Sequence, residues 1–277
     1  MAGRIALCLL LLGACGGHEE TSRTTSLPTV TTSDTRPSPG GSAGVVVAIV
    51  DGDSLRVDLG PVTEEVRLIG INAPEVGDCW ADEATSALAD LIQGSEVMLA
   101  GDERDRFGRL LGRVLTGSTE VDVEMVRSGN AIALSDGPDA ARLITAEQEA
   151  VSASRGMWSP TACGPTGTEE LVLLEVVFDP PGPDGNDLNG EYVVVGNQGG
   201  DAELTGWSLR DESSVHRFAF PDGFRLGSGE TVAIRSGCGD DAPGELHWCS
   251  DDPVWNNGGD MALLLDPSGN VAARFRY

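Results

Sequence analysis

The chain has 277 residues, with 44 acidic residues against 18 arginines and no lysine, so its net charge is −26. The length corresponds to about two domains, and the 40% apolar content is enough for folded cores, which excludes a fully disordered chain. The acidity argues against a protein that binds nucleic acid through a broad basic surface, because such binding depends on Lys and Arg, but it leaves open an enzyme acting on nucleic acid at one local site.

Residues 1–15 have the features of a secretory signal. One arginine precedes a short apolar run, and small residues lead to Cys15; the run is too short to span a bilayer. Residues 12–15 resemble the bacterial lipobox. The resemblance implies cleavage before Cys15, lipidation of Cys15 and an extracytoplasmic protein anchored to the membrane through its lipid. An ordinary secretory signal is the alternative and would give a secreted protein.

Residues 16–43 are rich in Thr, Ser and Pro and almost free of apolar side chains. Such a segment cannot bury a core. We therefore predict a disordered tether between the anchor and the first domain.

The first predicted domain spans 44–165 and combines short strands with helices. Two β-rich runs, 45–50 and 54–59, flank an Asp-Gly pair and predict a hairpin. Alternation and helical periodicity then predict these elements: strand 65–71, helix 82–93, strands 96–100 and 109–115, and helices 121–128 and 139–154. Five short strands with interleaved helices favour a small closed barrel of the OB type.

Four phrases in this domain carry a family resemblance. They are VDGDS at 50–54, RLIGINAPE at 67–75, DRFGR at 105–109 and GMW at 156–158. Their order and intervals resemble the staphylococcal nuclease (thermonuclease) family over about 44–163. The resemblance implies an OB-fold endonuclease that hydrolyses phosphodiester bonds of DNA and RNA.

The resemblance also assigns the catalytic residues. It places Arg67 and Arg109 on the phosphate, where planar guanidinium groups suit the geometry of phosphate oxygens. It makes Glu75 the general base that activates water. Each of these three residues stands at the matching place in its phrase.

The family uses Ca²⁺, and the resemblance implies which residues would bind it here. The ligands map onto Asp53, the side chain of Asn72 and the main-chain carbonyl of Ala73, with Asp51 nearby. Many members carry Asp where this chain has Asn72. An amide oxygen can still coordinate Ca²⁺, but one negative charge is lost, so weaker metal binding is expected.

A second departure concerns substrate binding. The segment 130–137 lacks the tyrosines that stack on the substrate base in the best-known members, and Ser135 and Gly137 stand at those places. Arg106 and Phe107 are the remaining candidates for substrate contacts. For Phe107 the alternative is a packing role in the barrel.

The second predicted domain, 169–277, reads as a β-sandwich. Gly, Asp, Pro and Asn turns separate β-rich runs at about 171–178, 191–195, 202–209, 216–220, 230–234, 261–265 and 271–277. NGEYVVVGN at 189–197, LTGWSL at 204–209 and VWNNGGD at 254–260 resemble the lamin tail domain, an Ig-like module. Trp207 and Trp255 are expected in its core. The resemblance implies an interaction module, and a net charge of −14 over 166–277 favours a protein or cell-wall partner over DNA.

Four cysteines remain after Cys15 and the signal are set aside, and four allow three pairings. Two lie in each predicted domain, which favours Cys79–Cys163 and Cys238–Cys249. Zinc binding is the competing interpretation, but the sequence has no CxxC spacing and only scattered histidines.

Together these features predict a membrane-tethered, Ca²⁺-dependent nuclease that carries a C-terminal interaction module. The alternative is a catalytically inactive surface binding or scaffold protein built on a nuclease-like domain, in which Asn72 marks the loss of the metal.

Overall fold

The structure, a computed structural model, describes residues 41–182 and 185–277. The predicted signal, Cys15 and nearly all of the predicted tether lie outside the described residues. The first strand begins at Ser42, inside the segment expected to be a tether. The described residues all belong to one compact unit, Ser38–Tyr277.

The first part of the chain forms a closed barrel flanked by helices. Its strands are β1 (Ser42–Ile49), β2 (Ser54–Asp58), β3 (Thr63–Leu68), β4 (Ile71–Asn72), β5 (Glu96–Arg104), β6 (Leu110–Thr116), β7 (Thr119–Glu120) and β8 (Ile132–Ala133). Neighbouring strands pair in the order β3-β2-β1-β5-β6-β7, and β3 also pairs in parallel with β6. That last pairing closes a five-stranded, OB-like barrel, as the sequence predicts.

The barrel strands form because apolar and polar residues alternate. In β2, Leu55 and Val57 are fully buried while Arg56 and Asp58 face solvent. Three helices cover the barrel: α1 (Ala81–Ile92), α2 (Val121–Arg127) and α3 (Ala140–Ser152).

Helix α1 packs one apolar face on the barrel. Ala84, Leu88 and Ile92 are fully buried in the barrel core, and they recur at helical spacing. Gly94, with a φ of 73°, follows the helix, which is a conformation that glycine adopts without strain.

One short pairing was not predicted and bears on the site. β4 pairs with β8 in an antiparallel register, Ile71 opposite Ala133 and Asn72 opposite Ile132. The pairing fixes the segment after β3 against the segment that follows α2.

The second part is a β-sandwich. Its strands are β9 (Leu171–Val177), β10 (Tyr192–Asn197), β11 (Ala202–Glu203), β12 (Ser208–Arg210), β13 (Arg217–Ala219), β14 (Arg225–Leu226), β15 (Thr231–Arg235), β16 (Glu245–His247), β17 (Met261–Leu265) and β18 (Val271–Arg276). They form two four-stranded sheets, β16-β15-β10-β9 and β13-β12-β17-β18, and a small β11-β14 pair. Trp207 and Trp255 are buried between the sheets, where the sequence places them.

The two parts share an apolar cluster. Ile132, Met157 and Trp158 of the barrel part pack in one cluster with Met261, Leu263 and Leu265 of β17. All six side chains are buried. The contact is therefore a packed interface between the two parts.

Two disulfides join the cysteine pairs that the sequence favours, Cys79–Cys163 and Cys238–Cys249. The first links the loop before α1 to the end of the barrel part. None of the helices in the described ranges has both the length and the apolar character needed to cross a bilayer.

Candidate active site

A cleft of about 520 Å³ opens on the barrel surface beside β3 and β6. Arg67, Arg106, Phe107 and Arg109 line it, so four of the predicted catalytic and substrate residues lie together. The remaining walls include the apolar side chains of Ile69, Leu111, Leu134 and Pro138. The cleft thus combines positive charge with an apolar surface.

Arg67, near the end of β3, is held in place by protein acceptors. Its Nη1 donates to the carbonyl oxygens of Leu68 (2.7 Å) and Ile71 (2.9 Å). Its Nη2 donates to Asn72 Oδ1 at 3.0 Å and lies 2.9 Å from Asp53 Oδ2. The guanidinium is therefore oriented before a substrate arrives.

Asp53 lies in the loop between β1 and β2 and is only 5% exposed. Its Oδ2 accepts the N–H of Ala73 at 2.8 Å, and its Oδ1 accepts the Ser54 hydroxyl at 3.1 Å. Burial raises the pKa of this carboxyl to about 6, although the nearby Arg67 guanidinium opposes the shift. Asp51 accepts the N–H of Asp53 at 3.0 Å, which places it next to the predicted metal ligands.

Arg109 is oriented by a residue that the sequence analysis did not single out. Asp105 Oδ2 accepts Arg109 Nε at 2.7 Å, and Asp105 Oδ1 accepts the Arg109 main-chain N–H at 2.9 Å. Arg109 Nη1 reaches the Ser54 hydroxyl at 3.4 Å, so Ser54 contacts both Arg109 and Asp53. The sequence could have indicated this residue, because Asp105 is the first residue of the DRFGR motif at 105–109.

Phe107 is 69% exposed at the rim of the cleft. The guanidinium carbons of Arg106 and Arg109 lie 4.8 and 5.5 Å from its ring centroid, within the range of cation–π contacts. This exposure does not fit the alternative of packing inside the barrel.

The other predicted residues are less closely grouped. Glu75 is exposed, does not line the cleft, and makes no side-chain hydrogen bond or ion pair within the described ranges. Two further arginines near the motifs, Arg104 and Arg113, pair with Glu64 and Asp139 and do not line the cleft. Arg67 and Arg109 are paired as well, with Asp53 and Asp105, but they line the cleft together with Arg106. The positive charge at the cleft is therefore that of Arg67, Arg106 and Arg109.

The oxygen atoms near Arg67 are the candidates for binding the calcium that the family implies. Asp53 Oδ2 and Asn72 Oδ1 converge on one cationic nitrogen, Arg67 Nη2. One buried carboxylate and one amide oxygen are hard donors that fit Ca²⁺ in chemical type. Across the residues that the structure describes, no group of three His, Cys, Asp or Glu side chains is placed to hold a metal ion.

Two of the residues that depart from the nuclease pattern, Asn72 and Ser135, contact the sandwich. Asn72 Nδ2 donates to the Glu212 carbonyl at 3.1 Å and lies 3.0 Å from Ser214 Oγ. Ser135 donates its N–H and its hydroxyl to the Glu212 carboxylate. Sequence reasoning missed this contact, because no local pattern relates residue 72 to a turn 140 residues further along the chain.

The comparisons with known proteins agree with the architecture. Residues 65–160 match the family model described as Staphylococcal nuclease homologue, and residues 165–277 match the Lamin Tail Domain model. An OB-type barrel with an arginine-lined cleft, joined to an Ig-like sandwich, is thus a nuclease domain joined to a lamin tail domain. The chain belongs to the staphylococcal nuclease family.

Three relatives illustrate the similarity. The chain is 37% identical over 127 residues to "Micrococcal nuclease" of Shigella flexneri, a match covering 42% of this chain and 73% of the relative. It is 32% identical over 117 residues to an "Uncharacterized endonuclease" of Escherichia coli O157:H7, covering 42% and 76%. It is 34% identical over 127 residues to "Protein ParB" of Escherichia coli, covering 42% and 72%.

Proposed function

We propose that the protein is a Ca²⁺-dependent nuclease that hydrolyses phosphodiester bonds of DNA and RNA outside the cytoplasm, anchored to the membrane through lipid on Cys15. The observation that carries the proposal is that Arg67 and Arg109 line one cleft, with Arg67 linked to the buried Asp53. The curated relatives named as nuclease and endonuclease support the same reaction type.

In the proposed reaction the two arginines act on the phosphate. Arg67 and Arg109 bind its oxygens and stabilise the negative charge that builds on them in the transition state. Their orientation by protein acceptors reduces the reorganisation needed at the moment of reaction. The family resemblance assigns the proton of the attacking water to Glu75, which is exposed and follows the predicted ligand Ala73 by two residues, although it does not line the cleft.

The oxygens that would hold calcium in our proposal include the two that Arg67 Nη2 contacts, so Arg67 would leave them for the phosphate when the ion is bound. Asp53, the Asn72 side-chain oxygen and the Ala73 carbonyl would hold the ion, with Asp51 close by, and bound Ca²⁺ supplies positive charge that offsets the phosphate. With a single buried carboxylate among these ligands, we expect weak binding, in the range of about 10⁻⁴–10⁻³ M known for extracellular modules.

The substrate and partner assignments follow from surface chemistry. Phe107 and the apolar wall of the cleft offer a surface for one unpaired base, and Arg106 adds charge beside it. The acidity of the lamin tail domain favours a protein or cell-wall partner over DNA.

The test uses residues 16–277 with fluorescently labelled single-stranded DNA or RNA, in millimolar CaCl₂ or in EGTA. We expect cleavage only with Ca²⁺, and a loss of about 10²–10³-fold in kcat for Arg67→Ala and for Arg109→Ala. Arg225→Ala is the matched control, because Arg225 is an exposed arginine paired with Glu203 on the lamin tail domain. Absence of any Ca²⁺-dependent cleavage would favour the inactive binding protein instead.

A further inference from the structure

Asn72 and Ser135, two of the residues that depart from the nuclease pattern, contact one residue of the lamin tail domain. Glu212 accepts from Asn72 through its main-chain carbonyl and from Ser135 through its carboxylate. The Glu212 carboxylate is 1% exposed and pairs with Arg276 at 2.9 Å. The turn 211–216 is thereby fixed against β4 and against the segment after β8.

These contacts determine which way the Asn72 amide points. A main-chain carbonyl only accepts hydrogen bonds, so the Glu212 carbonyl must face the Asn72 NH₂ group. Ser214 Oγ, 3.0 Å from the same NH₂, also receives a hydrogen bond from Arg210, and an arginine can only donate.

On its other side the Asn72 amide meets a donor. Arg67 Nη2 donates to Asn72 Oδ1 at 3.0 Å, so the oxygen faces Arg67 and Asp53. A flipped amide would place its NH₂ group against the guanidinium and its oxygen against the Glu212 carbonyl. Partners on both sides therefore require the orientation that the structure shows.

We propose that the turn 211–216 of the lamin tail domain is a positioning element of the nuclease site, in which Glu212 and Ser214 hold the Asn72 oxygen toward Arg67 and Asp53. The inference rests on the proposed function, because it assigns the oriented oxygen to the cation and phosphate chemistry of that site. The same contact explains why residue 72 is an asparagine and not an aspartate, since a carboxylate has no hydrogen to donate to the Glu212 carbonyl.

Hydrogen bonds hold the turn 211–216 in one conformation. Ser214 has a φ of 65°, a strained conformation for a residue other than glycine, which persists only where neighbours hold it. The Asp211 carboxylate accepts the Ser213 hydroxyl at 2.6 Å and contacts His216 Nδ1 at 2.9 Å. These two contacts join residues within the turn. Two residues outside the turn, Asn72 and Arg210, donate hydrogen bonds to Ser214.

The first test measures Ca²⁺ binding to residues 16–277 by calorimetric titration. Ser214→Ala removes one acceptor of the Asn72 amide, and we expect the Kd for Ca²⁺ to rise about two- to tenfold, the effect of one hydrogen bond. Ser250→Ala is the matched control, because its hydroxyl donates to the Asp252 carbonyl and contacts neither Asn72 nor the turn 211–216. An unchanged Kd in Ser214→Ala, or an equal rise in both variants, would overturn the inference.

A coupled pair of variants separates positioning from general stability. Asn72→Ala alone should raise the Kd for Ca²⁺, and adding Ser214→Ala to it should have no further effect, because the group that Ser214 orients is gone. Additive effects of the two substitutions would contradict positioning through Asn72.

A metal-free measurement tests the docking itself. Asn72→Asp replaces the NH₂ group with an oxygen facing the Glu212 carbonyl, so we expect a lower midpoint temperature of unfolding in EGTA. A variant as stable as the wild type would show that the contact with the Glu212 carbonyl does not require an amide at residue 72.

If the wild type neither binds Ca²⁺ nor cleaves nucleic acid, the proposed function fails, and the melting result alone decides whether the turn docks on Asn72 as described. If it does both while Ser214→Ala matches it, only the positioning role fails.

Discussion

At the scale of single residues, the geometry around Arg67 depends on a planar guanidinium. The group reaches two main-chain carbonyls, Asn72 and Asp53 at once. An ammonium group is a compact charge that cannot span these acceptors and a phosphate together. We expect Arg67→Lys to lower kcat on labelled single-stranded DNA by about 10²-fold or more, with the folded state retained.

Arg56→Lys is the control for this substitution. Arg56 lies on the neighbouring strand β2, is exposed, and pairs with Glu65. Its replacement should leave kcat unchanged, since Arg56 does not line the cleft. Equal kcat values for Arg67→Lys and the wild type would remove Arg67 from the proposed mechanism.

Phe107 offers a second residue-scale prediction. Because its ring is mostly exposed at the cleft rim, we expect Phe107→Ala to raise KM for single-stranded DNA and to leave the unfolding temperature unchanged. A stacked base contributes about 1–3 kcal/mol, which corresponds to a rise in KM of about five- to 150-fold. A lowered unfolding temperature with unchanged KM would instead indicate a packing role.

At the scale of elements, the two disulfides close loops of very different length. Cys79 and Cys163 are 84 residues apart in sequence, and Cys238 and Cys249 are 11 apart. Chain entropy predicts stabilisation of about 4–5 kcal/mol for the first and about 2–3 kcal/mol for the second. Replacing the Cys79 pair by alanines should therefore lower the free energy of unfolding more than replacing the Cys238 pair, as measured by denaturant titration. The reverse order would show that the loop-length argument does not hold here.

Most barrel elements could be predicted because their signals are local. Apolar spacing predicts helix α1 at 82–93, and the helix lies at Ala81–Ile92.

In the sandwich, one predicted strand is wrong. The strand predicted at 202–209 is two strands, β11 and β12, because the chain turns at Gly206, where φ is 80°. Alternation of apolar residues predicts a strand but does not show where a turn interrupts it.

The site could be predicted only where the motif is contiguous in sequence. Arg67, Asn72 and Asp53 belong to quoted phrases, and the structure brings them together. Ser214 was missed because its contact with Asn72 joins residues 142 positions apart, and it depends on how the two domains pack.

At the scale of the whole molecule, buried acids link stability to pH. Burial raises the pKa of Glu212 to about 7 and that of Asp260 to about 6. Both carboxyls keep protons in the folded state at pH values where the unfolded chain has released them. Their contribution to the free energy of unfolding therefore decreases as pH rises from about 4 to about 7.

Glu212→Gln tests this dependence. Because glutamine does not titrate, the unfolding temperature of the variant should change less between about pH 4 and pH 7 than the unfolding temperature of the wild type does. Glu203→Gln is the control, since Glu203 is an exposed carboxylate and its loss should leave the wild-type dependence. A Glu212→Gln curve parallel to the wild-type curve would show that Glu212 does not carry the effect.

The apolar cluster shared by the two domains predicts how the molecule unfolds. Removing either domain would expose the buried faces of Trp158 and Leu263, so the domains should stabilise each other. We expect one calorimetric transition for residues 16–277, with an equal van't Hoff and calorimetric enthalpy. Two resolved transitions would indicate domains that fold independently.

The same cluster has a consequence for sequence variation. The nuclease domain presents an apolar face that β17 completes, so residues on the two sides of the face must fit each other. Among homologues that carry both domains, a change at Ile132 should be matched by compensating changes at Leu263 or its neighbours in the cluster.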